Sequence, residues 1–456
     1  MTYSSKRFGT LLKLVRAKTC HSASVKLFTA LTATTLLMSQ SSLPVTAALE
    51  DSPKTVVDEV WQIVNSEFVD LGFNHTDWKL QRQELLQKKY QTQKSAYNAI
   101  RESLKSLGDP YTRFLDPEEY ADLTSQTSGE LSGIGIQLGI DQKTRKLTVI
   151  APIPNSPAIE AGLVAGDQIV RIDGKPTANM TLEEASAQIK GEVGTEVQLT
   201  ISRPSQSNFE VAIARAQIEL PSVSYTLNQE QDSKVGYIKL DEFSSHAAEQ
   251  MQKAIEDLSK KQASGFILDL RGNPGGLLFS SVEIARMWMT NGEIVHTIDR
   301  KGGNEKFSAN GKALTDLPLV VLVDGYSASA SEILAGALKE NQRAKVVGSR
   351  TYGKGTVQSV HPLSDGSGLA VTIARYYPPS GLDINKKGIA PDIRVDLSRE
   401  QQTYLSVNPD LVATTADPQY ARAVTILKNQ SISNIERKSP KPLTNNQSVP
   451  SQPNLN

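Results

Sequence analysis

Between residues 210 and 395 the chain repeats one pattern: a short, almost wholly apolar run, a turn, and a longer amphipathic stretch. The apolar runs are SGFILDL, LPLVVLVD, AKVVGSR and GLAVTIARYY, preceded by the strand-like VGYIKLDEF. The amphipathic stretches are SSHAAEQMQKAIEDLSKK, expected to carry a Ser cap, LLFSSVEIARMWM and SASEILAGALKEN. A strand that is apolar on both faces must be covered on both faces, and strands alternating with helices favour a mostly parallel sheet. The length of 456 residues allows two to four domains, and a hydrophobic fraction of 39% is enough to give them cores.

The flanks differ in texture. Residues 6–26 carry Lys6, Arg7, Lys13, Arg16, Lys18 and Lys26 and no acid, and the following stretch is apolar and Ser/Thr-rich up to Glu50. A basic start, about ten apolar residues and a small-residue exit describe a secretory signal. Val45 and Ala47 fit the −3 and −1 positions of a cleavage site after Ala47. The alternative is an uncleaved anchor, which would leave the protein membrane-associated, but the stretch is short of the ~20 residues a span requires. Cys20, inside this segment, is the only cysteine, so the exported chain has no disulfide, thiol nucleophile or Cys metal site. Lys+Arg and Asp+Glu balance at 49 each, which excludes the basic footprint of a nucleic-acid binder.

Residues 51–125 read as helical, with Val56, Val60, Ile63, Val64 and Phe68 near helical spacing, and the Trp and Phe residues there are expected to pack in a core. From about residue 128 to 204 short strands and turns take over, with LEEASAQIK as a short helix. Gly133-Ile134-Gly135-Ile136, then SPAIEAGLVAGDQIVRIDG, then that helix, then GTEVQLTISR, resemble a PDZ domain. In such a domain loop N–H groups capture a peptide's terminal carboxylate while the peptide adds a strand to the sheet edge. The resemblance makes Gly133, Ile134, Gly135 and Ile136 the peptide-binding loop, the two glycines allowing close approach of the backbone. After residue 397 the composition turns to Gln, Asn, Ser, Pro and Thr, interrupted by the helix-like DPQYARAVTILKNQ, and the last 25 residues are expected to be disordered.

VLVDGYSASASEILAGAL sets Ser327, Ser329 and Ser331 between a buried strand and a helix. A hydroxyl at a strand's C-terminal end lies where open α/β sheets place their sites, and the next helix's first N–H groups have no intrahelical partner. The pattern is not Gly-x-Ser-x-Gly, so an α/β-hydrolase elbow is not supported, and plain helix capping is the reading preferred for Ser331. His75, His246, His296 and His361 sit in no triad motif and read as structural. Lys354, between Gly353 and Gly355, becomes a general base only where burial or nearby cations lower its pKa.

Taken together, SASASEI, the 25-residue spacing from Ser329 to Lys354 and GKGTVQ closely resemble the carboxyl-terminal processing peptidases, or tail-specific proteases, of peptidase family S41A. The resemblance implies a Ser-Lys dyad with Ser329 as nucleophile and Lys354 as base, and Gln358 orienting the lysine. A strand would put residues 354, 356 and 358 on one face. The resemblance also implies an oxyanion hole from the N–H of Ala330 and one from RGNPGG, Gly275 in first place and Gly276 as its neighbour. Some family descriptions add an acid eleven residues after the serine; here Glu340 stands there and reads as a solvated helix charge. YYPPSG and KGIAPDI resemble structural segments of the family.

The fold expected is a multidomain α+β chain: signal peptide or anchor over 1–48, helical region 51–125, PDZ domain 128–204, an α/β crotonase/ClpP-like serine protease core over 205–397, and a C-terminal region 398–456 with a disordered tail. WQIVNSEFVDLGFNHTDW resembles the cyanobacterial and plastid branch, whose relatives trim a photosystem II subunit in the thylakoid lumen. The function implied is endoproteolysis near the C-termini of exported proteins with apolar tails, in a periplasm or thylakoid lumen, with no metal or cofactor. The alternatives are an inactive PDZ scaffold or chaperone, which the presence of Ser329, Lys354 and Gln358 opposes, and a crotonase-like acyl-CoA enzyme, which the export signal and PDZ block oppose.

Overall fold

The computed structural model describes residues 52–231 and 233–438, the last eight as backbone only. The expected signal or anchor over 1–48, with Cys20, and the part of the expected disordered tail from residue 439 onward lie outside the described residues.

The chain opens with α1 (Pro53–Glu67), started by the Ser52 side chain accepting from Lys54 N with Pro53 in the first turn. Then come α2 (Trp78–Gln87), capped by Asp77, and α3 (Gln93–Lys105), started by a Thr92/Ser95 capping box. Val56, Val60, Val64 and Phe68 meet in one apolar cluster, as their spacing predicts, with Ile63 only partly buried against it; Trp78 and Ile100 of the next two helices join them. That cluster also takes in Leu363, Leu369 and Val371, so the helices are packed on the core rather than closed on themselves. Strand β1 (Arg113–Leu115) pairs antiparallel with residues 368–370, and α4 (Pro117–Ser128) leads onward.

The middle block contains β2 (Glu130–Gly133), β3 (Ile136–Ile140), β4 (Leu147–Pro152), the single-turn α5 (Pro157–Glu160), β5 (Gln168–Ile172), β6 (Lys175–Pro176), α6 (Leu182–Ile189), β7 (Glu196–Ser202) and β8 (Phe209–Ala214). Its antiparallel sheet runs β3-β4-β5-β7-β8, with β6 on β5, around a core that includes Ile134, Val149, Ile169, Val197 and Leu199. Asp167 of the GDQIV motif is buried, accepts Val164 N at 2.9 Å, and pairs with Arg203 at 2.6 and 2.7 Å. Because β8 pairs with β7, the sheet continues past the expected boundary at residue 204. Strand β9 (Ala216–Glu219) then returns to pair with β2, so entry and exit form one ribbon.

In the core, β10 (Val223–Glu230) and β11 (Ser233–Leu240) form an antiparallel pair. There follow α7 (Ala247–Lys260), β12 (Gly265–Asp269), α8 (Leu278–Trp288), the hairpin β13 (Glu293–Asp299) and β14 (Asn304–Ser308), β15 (Leu319–Val323), α9 (Ala330–Glu340), β16 (Lys345–Gly348), β17 (Thr356–Pro362), β18 (Gly368–Tyr377) and β19 (Ile393–Arg394). The central sheet is β10-β11-β12-β15-β16-β19, parallel from β11 onward, as the runs SGFILDL, LPLVVLVD and AKVVGSR predict, whereas GLAVTIARYY forms β18, whose pairings are all antiparallel in the other sheet. A second, antiparallel sheet runs β1-β18-β13-β14, with β17 also on β18. The N-cap of α7 is His246 with no side-chain cap bond; the expected cap serines are used elsewhere, Ser244 toward Ser222 and Ser245 toward the Ser128 carbonyl.

Two helices end the described chain, the short α10 (Arg399–Val407) and the 21-residue α11 (Pro418–Lys438). Phe266 and Leu268 face one cluster with α7, α8 and α9, while Ile267, Val320 and Leu322 face another with Tyr420, Val424 and Leu427 of α11. The strands are apolar throughout because both faces are covered. A core ending at residue 397 would leave one face bare, and part of the segment expected to be disordered belongs to α11.

Candidate active site

Where β15 ends, Asp324 turns the chain: Oδ1 accepts from the N–H groups of Gly272, Tyr326 and Ser327 at 3.0, 3.0 and 3.1 Å. The outer serines stitch this turn to the RGNPGG loop. Ser327 donates to the Leu270 carbonyl at 2.8 Å and Ser331 to the Asn273 carbonyl at 3.0 Å, so Ser331 is not the simple cap its position suggests. Ser329 lines a cleft of about 440 Å³ together with Lys354, Gln358, Ala330 and Gly275. Its backbone is at φ 55°, ψ −115°, a conformation that L-residues adopt only under strain. The corner is as sharp as a nucleophile elbow although its glycine signature is missing.

Gly275 is held against that corner. A Cβ there would stand 2.8 Å from Ser329 Cβ and 3.0 Å from Ala330 N, and the residue is at φ 107°. Its N–H donates to Asn273 Oδ1 at 2.8 Å, the acceptor that an oxyanion would have to displace. Gly276 is equally confined, with a Cβ 2.5 Å from the Phe243 carbonyl.

Lys354 lies in the loop between β16 and β17. The flanking glycines let this loop pack on residues 385–388: a Cβ on Gly353 would meet Gly388 N and Lys387 N at 2.8 Å. KGIAPDI is thus the platform under the lysine loop. Burial pushes the Lys354 amine below its usual pKa, and the Arg113 guanidinium pushes it further, against the pull of Asp109 and Glu332. The amine lies 4.9 Å from the centroid of the Tyr111 ring, and among the described residues no hydrogen bond joins it to the Ser329 hydroxyl. Gln358 faces the same cleft, but its Nε2 donates to Thr356 Oγ1 at 2.9 Å and Thr372 Oγ1 at 3.3 Å rather than bonding the lysine. The expected single face of 354, 356 and 358 fails because the strand begins only at Thr356 and its register shifts between Val357 and Gln358.

Three further residues shape the site. Buried Glu332 accepts from Ser329 N at 3.0 Å, Gly353 N at 2.7 Å, Lys354 N at 2.8 Å and Thr351 Oγ1 at 2.5 Å, joining the serine and lysine segments through one carboxylate. The Ser-x-x-Glu spacing, a capping-box signature, was the available signal. The Tyr376 hydroxyl reaches the carbonyls of both Ser329 and Lys354. Tyr111 comes from the N-terminal region, which no local pattern tied to the site. Glu340 instead accepts from Ser380 N at 2.7 Å and Ser380 Oγ at 2.9 Å, pinning the YYPPSG segment. His246, His296 and His361 each pair with a glutamate, and among the described residues no histidine lines the cleft.

In the middle block, Ile134 is buried and its carbonyl accepts Ala158 N at 2.9 Å, while the Gly135 carbonyl accepts Ile153 N at 2.8 Å. Gly135 must be glycine: φ is 80° and a Cβ would lie 2.2 Å from Ser156 Cβ. Gly133 sits in β2 opposite Ala216, with nothing within 4 Å of an added Cβ. Ile136 opens β3, the terminal strand of its sheet and a neighbour of α6.

Comparison with known proteins fits this arrangement. The model of peptidase family S41 matches residues 234–395 and the PDZ domain model matches residues 122–202. A carboxyl-terminal-processing protease of Picosynechococcus sp. is 44% identical over 383 residues, 84% of this chain and 91% of that protein. The chloroplastic carboxyl-terminal-processing peptidase 3 of Arabidopsis thaliana is 38% identical over 77% of this chain and 71% of its own. The solved photosystem II D1 C-terminal processing protease superposes with a TM-score of 0.50 at 36% identity, covering 81% of this chain and 99% of that one. A PDZ domain joined to an S41 core makes the class a serine peptidase acting on protein substrates. Within it, the chain belongs to the carboxyl-terminal-processing proteases.

Proposed function

We propose that this protease cuts exported proteins near their C-termini through a Ser329–Lys354 dyad, with the loop Gly133–Ile136 docking the substrate's apolar tail. Neutral Lys354 takes the Ser329 proton as Oγ bonds to the scissile carbonyl carbon. The N–H groups of Ala330 and Gly275 hold the oxyanion, the latter after leaving Asn273 Oδ1. The C–N bond breaks as the lysine returns the proton to the departing amine, and water activated by the same amine releases the acyl group. Gln358, which lines the same cleft, would steady the lysine only after its side-chain amide leaves Thr356 and Thr372. The basic and apolar start of the chain, and relatives from cyanobacteria and chloroplasts, support a periplasmic or lumenal location.

The observation that carries this reading is a serine on a strained helix start sharing a cleft with a lysine whose protonation is disfavoured. The test is cleavage of a disordered protein with an apolar tail. Ser329→Ala and Lys354→Ala are expected to lower turnover by at least about 10⁴-fold. Wild-type rates in either variant would refute the dyad.

A further inference from the structure

We infer that Tyr111 is a positioning residue for Lys354: its ring face holds the protonated amine on the N-terminal wall of the cleft, and so sets the pH at which the amine becomes available to Ser329. The inference rests on the dyad reading above.

The ring is fixed in place. Asp109 accepts from Tyr111 N and Thr112 N at 3.2 Å and from Thr112 Oγ1 at 2.7 Å. Thr112 Oγ1 in turn accepts from Thr372 N at 3.1 Å, and β1 continues the attachment to β18. Burial, with the neighbouring Tyr352 phenol, pushes the Tyr111 hydroxyl's pKa up to about 12, so the ring stays neutral across the working range.

The Lys354 amine lies 4.9 Å from this ring's centroid. An aromatic face attracts an ammonium but not a neutral amine. Loss of the proton therefore removes the reason to stay on the ring and frees the amine to turn toward the serine. The other groups facing Lys354 are Arg113 and Asp109 on the segment that carries Tyr111, Glu332 on α9, and Tyr376 on β18; Glu242 also lines the cleft. Arg113 opposes protonation, whereas Asp109 and Glu332 favour it. Because burial also lowers the amine's pKa, the replacements at 111 are kept apolar, so that the ring face rather than the loss of burial is what differs between them.

The experiment is the pH dependence of kcat/KM, from about pH 5 to about pH 10, on a quenched-fluorescent peptide with an apolar C-terminal tail. The full chain is used as wild type, Tyr111→Phe, Tyr111→Leu and Tyr111→Trp, each checked by thermal melting. Phe is expected to keep the acid limb at the wild-type pH. Leu is expected to move it down by about one pH unit, and Trp, the strongest cation-binding ring, to move it up. If Leu does not fold, the upward shift of Trp relative to Phe carries the result. An acid limb unmoved across the series, with only KM changed, would reduce Tyr111 to a wall of the cleft and leave the dyad intact. A wild-type enzyme with no acid limb would remove the dyad itself, and this inference with it.

Discussion

Ser329 occupies φ 55°, ψ −115°, while Glu332 grips its N–H and Tyr376 its carbonyl. Such a conformation costs an L-residue about 1–3 kcal/mol and persists only where the surroundings impose it. Glycine adopts it freely, at a loss of about 0.5–1 kcal/mol through a more mobile unfolded chain. Ser329→Gly is therefore expected to unfold in denaturant at the same concentration as Ser329→Ala or higher, the reverse of the ordinary order. A clearly less stable Ser329→Gly would show that the corner is not strained. For Lys354, burial and Arg113 hold the folded pKa below the unfolded value of about 10.4, so the native state binds the proton more weakly. The penalty is complete below the folded pKa and vanishes above the unfolded one. Lys354→Met is thus expected to raise the melting temperature near neutral pH, with the gain shrinking toward about pH 10. Ser329 and Lys354 were legible because their motifs are short, local and specific. Glu332 hid behind an ordinary capping spacing, and Tyr376 and Tyr111 reach the site only through tertiary pairing.

At the scale of elements, the RGNPGG loop and the start of α9 are one unit, joined by Ser327, Ser331 and the approach of Gly275. Gly275→Ala would drive a methyl group to 2.8 Å from Ser329 Cβ and impose a Cβ at φ 107°. It is expected to lower kcat by at least the ~10²–10³ seen when an oxyanion donor is lost. A near-wild-type kcat would mean that the loop yields easily and does not define the oxyanion site. The parallel strands were readable because both faces are apolar. The covering on one face was not, since α11 lies beyond a polar stretch that resembles the start of a tail. Leu427 is 4% exposed and within 3.3 Å of a Cβ placed on Gly265. Leu427→Ala is expected to cost about 2–5 kcal/mol in denaturant unfolding. A loss below about 0.5 kcal/mol would show that α11 is an appendage. The expected alignment of Lys354 with Gln358 failed for a local reason, a register shift that no residue pattern announces.

Across the whole molecule the cleft is assembled from distant parts of the chain: the N-terminal segment around Tyr111, the RGNPGG loop, the start of α9 and the head of β17. The N-terminal helices share a core with β18, and β1 extends the same sheet, so this region acts as one wall of the site rather than as a separate module. That explains why a reading by blocks found a helical region, a PDZ domain and a protease core but not the residues that the first block contributes to the cleft wall. The central claim is that Ser329 becomes acylated and that Lys354 makes this possible. Rapid acid quenching of the enzyme with a tail peptide near pH 8, followed by mass mapping of the trapped adduct, tests it most directly. The account predicts an acyl group on the peptide containing Ser329, lost in Ser329→Ala and at least about 10³-fold slower to form in Lys354→Ala. An adduct on another residue, or one forming on Ser329 equally fast without the lysine, would contradict it.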